Sequence, residues 1–282
     1  MTMYNEGFFP AAKLNPIFFR SWTPDKPKMT LLYVHGSGGT SADCLPLAQA
    51  LSDDEGIRVV AFDAPGNGHS QGNASISSFE AQRVVIQKLI ENAKTPAAVL
   101  ASSGGALATF MCLYLNRHKP KFSQIPVIFA EPSMGFDEIT RRFIAQSDAF
   151  FLGRHASLDN ARRVWDQTPL GKILFDNEDA KRAYIAGMLK VQGNALVSLT
   201  RAIDAKAIKD FNLLKKREAL SNPSLVLWGE NGGLKERYAE QLDSVLPNQT
   251  KIEFPGAGHP LALTRKVEIE AVAQFLRTHV GT

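Results

Sequence analysis

The stretch that most constrains this chain is residues 97–110, AAVLASSGGALATF. Ala97 to Ala101 is an apolar run and reads as a short buried strand. GALATFMCLYL follows with helical spacing, and two serines stand between strand and helix. A strand, a sharp turn tipped by serine and a helix make up the nucleophile elbow, usually written G-x-S-x-G. Such a turn needs small residues two before and two after its tip. With Ser103 at the tip these are Ala101 and Gly105; with Ser102 one of them would be Leu100, which crowds the turn. Ser103 is therefore the candidate nucleophile, with Ala101 replacing the first glycine of the pattern. Taken alone, the stretch is equally well a Ser-Gly turn that merely caps a helix, so the rest of the chain has to decide.

Strand-like runs alternate with helical segments on both sides of the elbow. The spacing predicts strands over 3–12 and 16–22, buried strands over Met29–Val34 and Ile57–Phe62, and a helix over 41–53. Further helices are expected over 77–93, where Ser77 or Ser78 provides a cap, and over the elbow helix to Asn116, followed by a strand over Ile125–Ala130. The alternation then breaks. Residues 133–222 read as mostly helical with no strong strand, after which strand, helix, strand and helix follow over 224–228, 234–245, 250–254 and 266–279. This order predicts an α/β fold with a mainly parallel sheet. The core comprises residues 1–132 and 223–282, and a helical cap at 133–222 is inserted between two of its strands.

At 282 residues, 44% hydrophobic and 21% charged, the chain has the composition of a soluble globular protein. No apolar run reaches the ~18 residues of a membrane span. The first twenty residues lack the basic start, continuous apolar core and cleavage site of a secretion peptide. Cys44 and Cys112 have no metal-ligand spacing and are expected as buried thiols on helix faces in a reducing compartment, so a cytoplasmic location is expected. The net charge of +4 is confined to the middle segment. Residues 133–222 hold 15 Lys/Arg against 11 Asp/Glu, and the remainder holds 17 of each. That excess would attract an anionic substrate, but interspersed charges on helices more often form a solvated face. No dense basic stripe supports nucleic-acid binding.

Four motifs fall at strand carboxyl ends, where open α/β sheets carry their sites. They are LLYVHGSGG, VVAFDAPGNGHSQG, VLASSGGALA and FPGAGHPLAL. Together and in this order they resemble the α/β-hydrolase fold superfamily, in particular its capped monoglyceride-lipase-like or lactonase-like branch. The resemblance covers nearly the whole chain outside the cap. It implies a serine hydrolase of small esters or lactones, with no metal and no organic cofactor. His259, after the last strand and after Ser103 in chain order, would be the base that activates the serine. His35, His69, His118, His155 and His279 fit that role less well. The oxyanion donors would be the N–H of Gly104 and, by the resemblance, that of Ser37.

The triad acid departs from the family pattern. The family carries it as G-x-x-D after the strand that follows the cap; here that stretch is Gly229-Glu230-Asn231-Gly232, with glycine at the aspartate position. Glu131, at the end of the strand after the elbow helix, is the preferred replacement, because some family members place a catalytic glutamate at that strand end and because a charge in FAEPSMG needs a partner. Glu230 is the second candidate, and a site without an acid the third. Other readings weigh less. Gly36-Ser37-Gly38 before Asp63 imitates a dinucleotide fingerprint, but its third glycine falls on Ser41. Haloalkane dehalogenases and epoxide hydrolases need aspartate at the elbow tip. Carbon–carbon bond or peptide hydrolysis on the same scaffold is the alternative chemistry, and a non-catalytic ligand-binding homologue the alternative class.

Overall fold

The computed structural model describes residues 2–11, 14–37, 39–70, 79–134 and 219–279. The expected cap at 133–222 lies outside them apart from 133–134 and 219–222, as do the proposed caps Ser77 and Ser78. The described elements run β1 Met3–Phe9, β2 Ile17–Thr23, β3 Met29–Val34, α1 Leu45–Asp54, β4 Ile57–Phe62, α2 Phe79–Asn92 and β5 Ala97–Ser102. They continue with α3 Gly105–Asn116, α4 Pro120–Ser123, β6 Val127–Ala130, β7 Ser224–Gly229, α5 Lys235–Val245, β8 Gln249–Phe254 and α6 Lys266–Arg277.

The strands form one sheet in the order β1-β2-β4-β3-β5-β6-β7-β8. β1 pairs antiparallel with β2, and β2 antiparallel with β4. Every pairing from β4 to β8 is parallel, so these strands end at one edge of the sheet. The inner strands are apolar on both faces because helices cover both. In β3, Leu31 and Tyr33 join the core formed with α1 and α6, which includes Leu47, Leu51, Val272 and Leu276. Leu32 and Val34 join the opposite core, with Val85 of α2 and Phe110 of α3. Burying each such leucine stabilises the fold by about 1.5–3 kcal/mol. The outermost strand β8 has only one fully buried residue, Phe254, so its sequence QTKIEF is largely polar.

Local departures from the expectations have local causes. The helix expected from Ser41 begins at Leu45, with proline at its second position. Ser41 is occupied elsewhere, giving both its N–H and its hydroxyl to the Asp63 carboxylate at 2.7 and 2.6 Å. Cys44 thus precedes α1 instead of lying on its face, though both cysteines are buried free thiols. Burial raises both thiol pKa values, Cys112 to about 12. Among the described residues no helix is long and apolar enough to cross a membrane.

Candidate active site

Three parallel strands deliver the site through a ladder of hydrogen bonds at their tips. Ser103, just past β5, donates its N–H to Ala130 O at 3.0 Å. Glu131, just past β6, donates its N–H to Leu227 O at 2.8 Å. Glu230, just past β7, donates its N–H to Phe254 O at 3.1 Å. Each strand tip is therefore fixed by its neighbour.

Ser103 occupies the left-handed region at φ 47°. The surrounding space explains the small residues of the elbow. A Cβ on Gly105 would lie 2.5 Å from His35 O and 2.8 Å from Val34 O, both backbone atoms. A Cβ on Gly36 would lie 2.8 Å from Ser103 Cβ. The elbow and the loop after β3 thus touch with no room for another carbon. Ser102 belongs to the buried end of β5 and faces Tyr33 instead of the site. Burial drives the Tyr33 phenol well above its usual pKa, and a hydrogen bond with Ser102 opposes part of that rise.

Ser103 Oγ stands 3.0 Å from His259 Nε2. His259 Nδ1 stands 3.3 Å from Glu131 Oε2. Glu131 is fully buried, and its other oxygen accepts the Gly229 N–H. A carboxylate at Nδ1 selects the tautomer with its proton there, leaving the Nε2 lone pair to accept the serine hydroxyl. Glu230 does not reach His259; it is exposed and accepts the Gly256 N–H at 2.8 Å, bracing the turn after β8. Of the two candidate acids, only Glu131 joins Ser103 and His259. Sequence reasoning missed the part of Gly229: its N–H binds the Glu131 carboxylate, and a Cβ there would lie 2.6 Å from Ala257 O in the loop of His259. Its place as the first residue of the G-x-x-D slot was the available signal.

Ser37 and Gly104 are neighbours, since a Cβ on Gly104 would lie 2.6 Å from Ser37 Oγ and 3.5 Å from Ser37 N. Gly104 is also the N-cap of α3, where the helix dipole favours negative charge. The loop carrying Ser37 is tied down by His35, whose Nε2 accepts the Ala64 N–H at 2.9 Å and whose Nδ1 lies 2.7 Å from Gly36 O. His35 therefore joins the loops after β3 and β4. Asp63 holds the second of these loops, accepting the His69 N–H at 2.8 Å as well as the two bonds from Ser41. Burial alone would raise the Asp63 pKa, but the bonds from Ser41 and His69 outweigh it and hold the carboxyl below its usual value. Among the described residues, no three of His, Cys, Asp and Glu are grouped to hold a metal ion.

The fold agrees with comparisons to known proteins. Pimeloyl-[acyl-carrier protein] methyl ester esterase of Vibrio cholerae is 25% identical over 273 residues, covering 90% of this chain and 95% of that protein. Three solved structures are similar in fold. MenH from S. aureus has a TM-score of 0.71 at 17% identity, over 92% of this chain and 98% of that one. An Exiguobacterium antarcticum esterase has a TM-score of 0.72 at 16% identity, over 99% of this chain and 100% of that one. A structure from work on carboxylesterases of Nitrososphaera gargenis has a TM-score of 0.75 at 14% identity, over 97% and 98%. The model of the alpha/beta hydrolase family matches residues 31–272, which span both flanks of the elbow and include Ser103, Glu131 and His259. The chain belongs to the alpha/beta hydrolase family.

Proposed function

We propose that this hydrolase is a serine esterase that cleaves a small carboxylic ester or lactone through an acyl-enzyme. The observation that carries the reading is the 3.0 Å approach of Ser103 Oγ to His259 Nε2. Ser103 Oγ attacks the carbonyl carbon while His259 Nε2 takes its proton, and the Glu131 carboxylate stabilises the imidazolium so formed. The N–H groups of Ser37 and Gly104 receive the developing oxyanion. The intermediate collapses, His259 returns the proton to the leaving alkoxide, and an ester links the acyl group to Ser103. Water, activated by the same histidine, then releases the acid. Esterase relatives support an ester as substrate. The segment at 133–222 is rich in Phe, Leu and Ile and carries Trp165, a composition that suits a substrate with an apolar acyl group.

The test is a fluorophosphonate probe together with p-nitrophenyl esters of graded chain length and a set of lactones, applied to the wild type and to Ser103→Ala. The wild type should label and turn over at least one ester series, and the variant should do neither. A folded wild type that takes no label and hydrolyses nothing would instead be a ligand-binding homologue.

A further inference from the structure

Gly232 stands where the family pattern expects the acid, and its surroundings show what the glycine is for. Its backbone does not demand glycine, because its φ lies outside the left-handed region, unlike that of Gly233 at φ 68°. Its space does. A Cβ at 232 would lie 2.2 Å from Glu131 Oε2, 2.5 Å from Glu131 Cδ and 2.6 Å from Glu131 Oε1. All three nearest atoms belong to the one carboxylate, at separations that real Cβ atoms do not show. The carboxylate has little freedom to yield, being fully buried and held by the Gly229 N–H on one side and His259 Nδ1 on the other. The turn has none either. The Gly232 N–H bonds to Gly229 O at 3.0 Å, and the Asn231 N–H bonds to Ala257 O at 2.8 Å.

We propose that Gly232 is a positioning residue: the space left by its missing side chain is the seat of the Glu131 carboxylate, and the same seat accepts an aspartate from position 232 in its place. The seat holds one carboxylate. An aspartate side chain reaches about 2.4 Å from Cβ to Oδ, so one grown from Gly232 with Glu131 removed brings an oxygen into the neighbourhood of His259 Nδ1. The inference rests on Glu131 as the triad acid for its catalytic half, while its steric half stands without it.

Two measurements test it. The first is a thermal-stability cycle of wild type, Gly232→Ala, Glu131→Ala and Glu131→Ala/Gly232→Ala. Gly232→Ala should lower Tm by several degrees when Glu131 is present and by about 1 °C when it is absent, a difference that distinguishes contacting from independent sites. Equal lowering in both backgrounds overturns the shared seat. If Gly232→Ala does not fold, folding of the double variant supports the seat and its failure overturns it. The second compares ester turnover of Glu131→Ala with that of Glu131→Ala/Gly232→Asp, using Glu131→Ala/Gly232→Asn as the control. The aspartate should restore kcat at least tenfold with KM little changed, and the asparagine should not. A folded aspartate variant without that gain overturns the exchange of seats. If Glu131→Ala itself keeps full turnover, the triad reading fails while the stability cycle still decides the steric claim.

Discussion

Ser103 and Glu131 share one backbone conformation, φ 47°, at the tips of the adjacent strands β5 and β6. They are linked through the bond from Ser103 N–H to the carbonyl of Ala130, the residue before Glu131. Non-glycine residues in this region each cost about 1–3 kcal/mol and persist where their surroundings over-determine them. Here the two strained positions carry the two side chains that meet His259, Ser103 at its Nε2 and Glu131 at its Nδ1.

Replacing Ser103 by alanine and by glycine should separate these two effects. Both variants lose the hydroxyl, and turnover should fall by about 10⁶, as for loss of a triad serine. Glycine also accepts φ 47° without steric cost, so Ser103→Gly should be more stable than Ser103→Ala by about 1 kcal/mol, read as a Tm a few degrees higher. Near-normal turnover in either variant would sink the mechanism. Ser102→Ala should leave turnover largely intact, because that hydroxyl faces Tyr33.

Glu131→Gln puts an amide against His259 Nδ1. An amide NH₂ there favours the wrong tautomer, which in a serine protease triad costs about 10⁴ in kcat. A fall of about 10²–10⁴ is expected, against little change for Glu230→Gln, whose carboxylate only braces Gly256. Steady-state kinetics of the two variants side by side decide it, and a larger loss in Glu230→Gln would reverse the assignment.

Asp63→Asn should destabilise the fold without touching the reacting atoms. Asparagine can accept at one atom but not at both, leaving either the Ser41 donors or the His69 N–H without an acceptor, at about 1–3 kcal/mol. The folded Asp63 carboxyl is held below its unfolded value by the bonds from Ser41 and His69 despite burial. Its contribution is therefore present above the unfolded pKa of about 3.9 and lost as pH falls through the folded value. The Tm gap between wild type and variant should be full at neutral pH and should narrow below about pH 4. A gap that stays constant through that acid range would show that Asp63 carries no charge.

At the elbow, Gly105→Ala and Ala101→Gly should differ sharply. The added methyl in the first meets the carbonyls of His35 and Val34, which the sheet holds in place, so it should cost several kcal/mol and much of the soluble yield. Ala101 is already accommodated between Val34 and Phe129 on the flanking strands, and its change to glycine should cost roughly 1 kcal/mol. Denaturant unfolding of both measures the contrast.

The sequence disclosed most where burial is complete. MTLLYV, IRVVAF and SLVLWG lie between two helical layers and are apolar almost throughout, so their strands were legible nearly to the residue. α4 escaped notice because one turn, Pro120–Ser123, carries no periodicity. Ser103 was distinguishable from Ser102 by local size alone. The choice between Glu131 and Glu230 was not, since both follow strands of the same sheet. It depends on a side chain reaching across from β6 to the loop after β8, which no local pattern encodes. The glycine at 232 was visible as an anomaly, but its meaning needed the distance to the Glu131 carboxylate.

That small void also limits how such a chain can change over generations. Introducing an acid at 232 first crowds two negative groups into one seat; losing Glu131 first leaves the histidine without its partner. A lineage moving the acid between neighbouring strands would have to cross one of these two impaired forms, unless both codons changed together. Side-chain size at position 232 thus carries a second message beyond the turn it belongs to: a bare backbone there leaves room for a carboxylate that reaches over from the end of β6.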